Sequence, residues 1–208
     1  MGSSPASHME RPGKIDDILG RKIDICFGHL DVNGDGTFER ADVVAYAAKV
    51  VAYQNESFHS PKALRMFEVA EAIFDNVLRA LGKEGDGNIT PAEWRAVIGA
   101  MADDLSKFDA MFKPLAEAIW ALCDRDGDGT VTADEFEGFQ KALGTPQENR
   151  KIAFEMLDRD GSGNFSSEEL MEDYREYYTS RDPKARGNWL YGDIWDDEVW
   201  EGTRVRLS

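Results

Sequence analysis

One twelve-residue pattern recurs along the chain and restricts its fold more than any other feature. It reads Asp31-Val-Asn-Gly-Asp-Gly-Thr-Phe-Glu-Arg-Ala-Asp42, then Asp124-Arg-Asp-Gly-Asp-Gly-Thr-Val-Thr-Ala-Asp-Glu135, then Asp158-Arg-Asp-Gly-Ser-Gly-Asn-Phe-Ser-Ser-Glu-Glu169. Oxygen-bearing side chains stand at positions 1, 3 and 5: Asp31, Asn33 and Asp35; Asp124, Asp126 and Asp128; Asp158, Asp160 and Ser162. Position 6 is glycine each time (Gly36, Gly129, Gly163), where the chain must turn too sharply for a Cβ. Position 7 offers the backbone carbonyl of Thr37, Thr130 or Asn164, and position 9 (Glu39, Thr132, Ser166) often acts through a water. Position 12 brings a carboxylate from Asp42, Glu135 or Glu169. A hard dication such as Ca2+ takes about seven oxygens at ~2.4 Å, and this alternation supplies them.

Position 8 is apolar in all three loops (Phe38, Val131, Phe165), as expected of a residue in a short antiparallel bridge between paired loops. Pairing requires an even count, and a degenerate fourth loop exists at residues 82–93, Gly82-Lys-Glu-Gly-Asp-Gly-Asn-Ile-Thr-Pro-Ala-Glu93. Its first position is glycine, so the first ligand is missing; Glu84, Asp86, the Asn88 carbonyl and Glu93 could still bind an ion weakly, but the loop is expected to serve chiefly as the partner of loop 1. Apolar residues flank each loop in phase, with Phe27, Leu78, Trp120 and Phe154 four residues before and Val43, Trp94, Phe136 and Leu170 just after. Thr90 with Glu93, and Thr132 with Glu135, form capping boxes; Thr145 with Glu148 is expected to start a helix in the same way, and Ser60-Pro61 another. The pattern is the EF-hand, four times over. It predicts an all-α fold of four helix-loop-helix motifs in two pairs packed into one unit, with short antiparallel bridges between paired loops. The expected divisions are a cloning remnant at 1–9, an N-terminal pair at 14–107, a C-terminal pair at 108–181 and an aromatic tail at 182–208.

The 208 residues carry 40 acidic and 24 basic side chains, a formal charge of −16, which argues against nucleic acid or an anionic membrane as partner. Ten of the acids fall at positions 1, 3, 5 and 12 of loops 1, 3 and 4. No apolar run reaches the ~18 residues of a membrane span, and the opening Met-Gly-Ser-Ser-Pro-Ala-Ser-His-Met lacks the features of a signal peptide. Cys26 and Cys123 read as reduced buried thiols, which with the rest points to the cytoplasm. His29 and His59 each stand alone and read as packing or surface residues. No nucleophile–base spacing or phosphate-cradling loop suggests catalysis.

Four hands with a degenerate second loop, and Asp42 closing the first, resemble the sarcoplasmic calcium-binding proteins, their bacterial members above all, over about residues 14–192. The resemblance implies two facing pairs of hands, Ca2+ in three sites and a cytosolic buffering role as a monomer. Asp42, one methylene shorter than glutamate, favours six ligands and tolerance of Mg2+ at loop 1. The run Asn188-Trp-Leu-Tyr-Gly192 resembles the aromatic ending such proteins tuck between their halves. Two other functions stay open. A sensor would expose a methionine-rich groove to a protein target, but Met66, Met101, Met111, Met156 and Met171 are spread thinly. A carrier of a small apolar ligand is the third class, since relatives of this fold include coelenterazine-binding proteins and photoproteins.

Overall fold

The computed structural model describes residues 17–83, 85 and 87–195. Eight α-helices are found among them: α1 Ile18–Leu30, α2 Arg40–Tyr53, α3 Pro61–Ala80, α4 Pro91–Ala102, α5 Leu105–Cys123, α6 Ala133–Ala142, α7 Gln147–Leu157 and α8 Ser167–Thr179. None of the described helices is long and apolar enough to cross a membrane. Each loop separates two consecutive helices, so the helix-loop-helix reading holds for all four hands.

The helix starts follow local chemistry. Capping boxes open α2 (Glu39 with Asp42), α4 (Thr90 with Glu93), α6 (Thr132 with Glu135) and α8 (Ser166 with Glu169). Ser60 caps α3 ahead of Pro61, as its sequence suggests. The expected box at Thr145 does not form. Pro146 is the N-cap of α7, and the Thr145 hydroxyl donates instead to the Tyr191 carbonyl at 3.3 Å, a tertiary bond with the tail.

Loops pair at position 8 as their apolar residues require. Phe38 and Ile89 exchange backbone hydrogen bonds of 2.9 and 3.0 Å, and Val131 lies opposite Phe165 in a two-stranded antiparallel sheet, β1 Val131–Thr132 with β2 Asn164–Phe165. Beneath each bridge sits an aromatic cluster. Phe38 meets Phe74 and Trp94 edge-on, while Phe165 stacks on Phe154 at 4.5 Å and meets Phe136 edge-on at 5.0 Å.

The two pairs interlock. Lys62, on the first turn of α3, donates to the Asp124 carbonyl at 2.6 Å, and Gln54 after α2 donates to the Glu135 carbonyl at 3.2 Å. Gly138 on α6 permits this approach, since a Cβ there would lie 2.9 Å from the Tyr53 carbonyl oxygen. On the other side, α1 meets α8 through Lys22, whose fully buried ammonium donates to the Ser180 carbonyl at 2.8 Å, the Glu176 carbonyl at 3.3 Å and the Asn188 Oδ1 at 3.0 Å. It thereby ties down the end of α8, where the Glu176 carbonyl also accepts from the Ser180 amide. Burial pulls its pKa down to about 7, against the attraction of Glu176.

The tail closes over this junction. A 3-10 turn at Arg186–Trp189 precedes buried Leu190 and Tyr191, and the Tyr191 hydroxyl hydrogen-bonds that of Tyr178 at 2.8 Å. Trp195 is partly buried against the core, whereas Trp200 lies outside the described residues. Gly187 touches α8 so closely that an added Cβ would lie 2.7 Å from the Asp173 carbonyl oxygen and 2.9 Å from the Tyr177 nitrogen. Gly187→Ala is therefore expected to cost about 1–3 kcal/mol. Denaturant unfolding followed by tryptophan fluorescence checks this, and an unshifted midpoint would mean the tail does not dock on α8.

Candidate metal centres

Each loop begins where a helix ends. The amides of Asp31, Asp124 and Asp158 still bond back to Phe27, Trp120 and Phe154 at 2.8–2.9 Å, after which the chain leaves the helix and turns around the position-1 carboxylate. That carboxylate gathers backbone amides. Asp31 accepts from Gly34, Asp35 and Gly36, Asp124 from Gly127, and Asp158 from Ser162 and Gly163. Gly36, Gly129 and Gly163 have φ of +89°, +89° and +85°, the left-handed turn for which position 6 is glycine.

Position 12 reaches back across the loop. In loop 3, Glu135 Oε1 accepts from the Arg125 amide at 3.1 Å and Oε2 from the Thr132 amide at 2.8 Å. Burial works to raise the Glu135 pKa, but the Thr132 and Arg125 donors outweigh it and the net shift is downward. In loop 4, Glu169 Oε2 accepts from the Ser166 amide and hydroxyl, while Oε1 is buried without a hydrogen-bond partner. In loop 1, the shorter Asp42 still reaches the Asn33 amide at 3.2 Å and the Glu39 amide at 3.1 Å. Asp31, Asp42, Asp124, Glu135 and Asp158 are all buried. Burial pushes the Asp31 pKa up against the pull of its amides, and the Thr37 amide holds that of Asp35 down.

Carboxylate oxygens converge to within 4.8 Å of one another at Asp124, Asp126 and Asp128, and again at Asp158, Asp160 and Glu169. Loop 1 makes no such group of three acids among the described residues; Asn33 fills position 3, and Asp35 accepts from Asn33 and Thr37. In loop 4 the Ser162 hydroxyl donates to the Asn164 carbonyl at 3.0 Å, so the oxygens at positions 5 and 7 already face each other. A dication fits this donor set. Acidic oxygens converge, and the orphaned Glu169 Oε1 is the atom a bidentate closing ligand would commit.

Loop 2 departs from the others. Gly82 carries φ +67° and its amide bonds back to Arg79, while the Lys83 amide bonds back to Leu78 at 2.9 Å. This is a Schellman end to α3, which the other three entering helices do not have. Lys83 then bonds the Glu93 carboxylate, at 2.7 Å to Oε1, and the Asn88 carbonyl, also at 2.7 Å. The Lys83 ammonium, with the Thr90 amide behind it, holds the Glu93 pKa down at about 2.

Paired helix-loop-helix motifs with acid-lined loops define an EF-hand calcium-binding protein, and the chain is one of the kind that resembles the sarcoplasmic proteins. The EF-hand family model matches residues 123–140 and 150–172, which span loops 3 and 4. Calerythrin of Saccharopolyspora erythraea is 26% identical over 157 residues, covering 74% of this chain and 89% of calerythrin. Among solved structures, a Streptomyces coelicolor calcium-binding protein, described as a basis for prokaryotic calcium-mediated regulation, superposes with a TM-score of 0.68 at 26% identity, over 77% of this chain and 98% of its own. The calcium-loaded apo form of coelenterazine-binding protein from Renilla muelleri shares the fold at 23% identity and a TM-score of 0.60, over 91% and 97% of the two chains.

The structure also joins residues that looked separate in the sequence. His29, which stands alone there, meets the Tyr191 ring edge-on at 5.2 Å, and both line a central cavity with Cys26, Tyr46, Trp94 and Tyr178. The Cys26 thiol contacts the Tyr178 hydroxyl at 3.0 Å, and burial pushes its pKa up to about 12, so it is an inert thiol.

Proposed function

We propose that the chain is an intracellular Ca2+ buffer that binds three ions, in loops 1, 3 and 4, with Mg2+ tolerated at loop 1. The ligands are Asp31, Asn33, Asp35, Thr37, Glu39 and Asp42; Asp124, Asp126, Asp128, Thr130 and Glu135; and Asp158, Asp160, Ser162, Asn164 and Glu169. The observation that carries the buffering reading is the interlock between the two pairs. The side chains of Lys62, Gln54 and Lys22 in one pair donate to backbone carbonyls of the other, across a shared aromatic core. A sensor has to open its hands and present an apolar groove. Here Met66, Met111, Met156 and Met171 are buried in the core and Met101 packs against it. The carrier reading draws less support. The central cavity is about 30 Å3, room for about one water, where small-molecule sites run to roughly 300–1,000 Å3.

Apolar-dye fluorescence, recorded with and without Ca2+ in a Mg2+ background, tests the choice. A flat or falling signal is expected. A several-fold calcium-dependent rise would establish a sensor, and a coloured or fluorescent molecule retained through purification would establish a carrier.

A further inference from the structure

Position 2 of the loops is cationic in three of the four hands, as Lys83, Arg125 and Arg159. In loops 3 and 4 this side chain points away from the ligand positions. Arg125 pairs with Asp134 at 2.6 Å, and Arg159 reaches Asp173 at 2.5 Å and Glu176 at 2.8 Å on α8. In loop 2 alone it turns inward. Its ammonium takes the Glu93 carboxylate at position 12 and the Asn88 carbonyl at position 7. Those are two of the oxygens that a cation would take in a binding hand.

The cause is the residue at position 1. Aspartate there would follow the helix at negative φ and collect loop amides on its carboxylate. Gly82 instead takes φ +67°, ends α3 early and redirects the next side chain. Without a position-1 carboxylate, Gly87 at position 6 has no oxygen to bond. It lacks the left-handed turn of its three counterparts, and a Cβ added there would lie 3.7 Å from the Lys83 Cβ and Cδ.

We infer that Lys83 is a tethered substitute for the metal ion of loop 2, an ammonium that joins the position-7 carbonyl to the position-12 carboxylate and holds the second hand closed at every Ca2+ concentration. Loop 2 is then a built counter-template rather than a decayed site. Through the Phe38–Ile89 bridge it presents loop 1 with a partner already in its paired form. The assignment concerns loop 2 and stands whether the chain buffers or signals. The ion count of the unaltered chain tests the proposed function, and the variants below test the substitute.

Full-length Lys83→Met, Glu93→Gln and the double variant are to be compared with the parent chain by calcium calorimetry and by melting in chelator. Glutamine keeps the capping box of α4, so Glu93→Gln removes charge without removing the helix start. Glu93→Gln is expected to leave the number of bound Ca2+ unchanged, and a loss of one ion would overturn the assignment. In chelator each single variant is expected to melt about 1–3 °C lower, as befits a half-exposed ion pair. The double variant should melt no lower than the weaker single. Unchanged or additive melting shifts would show that the two groups do not act as a pair and would overturn it too. Lys83→Met is also expected to weaken Ca2+ binding at loop 1 several-fold while loops 3 and 4 keep theirs. An unchanged loop 1 would overturn the templating role.

Discussion

Replacing Phe165 by alanine is expected to destabilise the protein by about 3–5 kcal/mol, the range for truncating a fully buried aromatic side chain. Three features put Phe165 in that range. Its ring stacks on Phe154 and meets Phe136 edge-on, so one truncation strips contacts from α6 of the third hand and α7 of the fourth. Its backbone carries the pairing with Val131, so the cavity opens directly beneath the only two-stranded sheet among the described residues. The neighbours that would have to collapse into the space are themselves on two helices and a strand, which limits relaxation. Thermal unfolding in chelator should fall by on the order of 10 °C for a chain of this size. A loss below about 1 kcal/mol would show that the aromatic cluster does not hold the pair together.

The second large effect is on binding. Glu135→Gln and Glu169→Gln are each expected to weaken one site by on the order of 100-fold, since fewer charged ligands move a site down the EF-hand affinity range. The two should differ without metal. Both oxygens of Glu135 are engaged by backbone amides, so its neutralisation loses charge-assisted hydrogen bonds and lowers stability in chelator. Glu169 keeps one oxygen buried and unpartnered beside Asp158 and Asp160, so its neutralisation relieves repulsion and raises stability in chelator. Calorimetry paired with melting curves separates the cases. Unchanged binding in both variants would defeat the ligand assignment, and a common sign in chelator would contradict the geometry of loop 4.

The capping boxes could be read from the chain because each joins residues three places apart, and the pairing at position 8 because the repeat itself marks which apolar residue of each loop meets its counterpart. Phe38 and Ile89 pair, and Thr132 and Glu135 cap, as their local pattern requires. What escaped the sequence were choices settled by distant atoms. Thr145 has the residues for a capping box, yet its hydroxyl serves the Tyr191 carbonyl, and no local rule weighs a partner 46 residues away. His29 reads as solitary because the ring that covers it lies in the tail. Loop 2 is the instructive case. The missing ligand at Gly82 was plain, but its effect on the backbone was not. A glycine that merely lacks an oxygen and one that takes φ +67° look identical on paper, and only the second turns Lys83 inward. The absence of opposing acid at position 1, beside a lysine at position 2, was the available hint.

The clamp at Lys22 bears on how the chain is made as well as on how it stands. Its ammonium waits for Ser180 and Asn188, acceptors 158 and 166 residues further along. During synthesis α1 emerges with a cation it cannot bury, and helices α2 to α8 are made before that cation finds its partners. Closing so long a loop adds little entropy beyond closing a moderate one, but it puts the event last. The hands can form on the ribosome as neighbours in sequence. The seam between the halves has to wait until α8 and Asn188 have been made, and during that interval the face of α1 that ends beneath Tyr177 and Asn188 is open to whatever else is in solution.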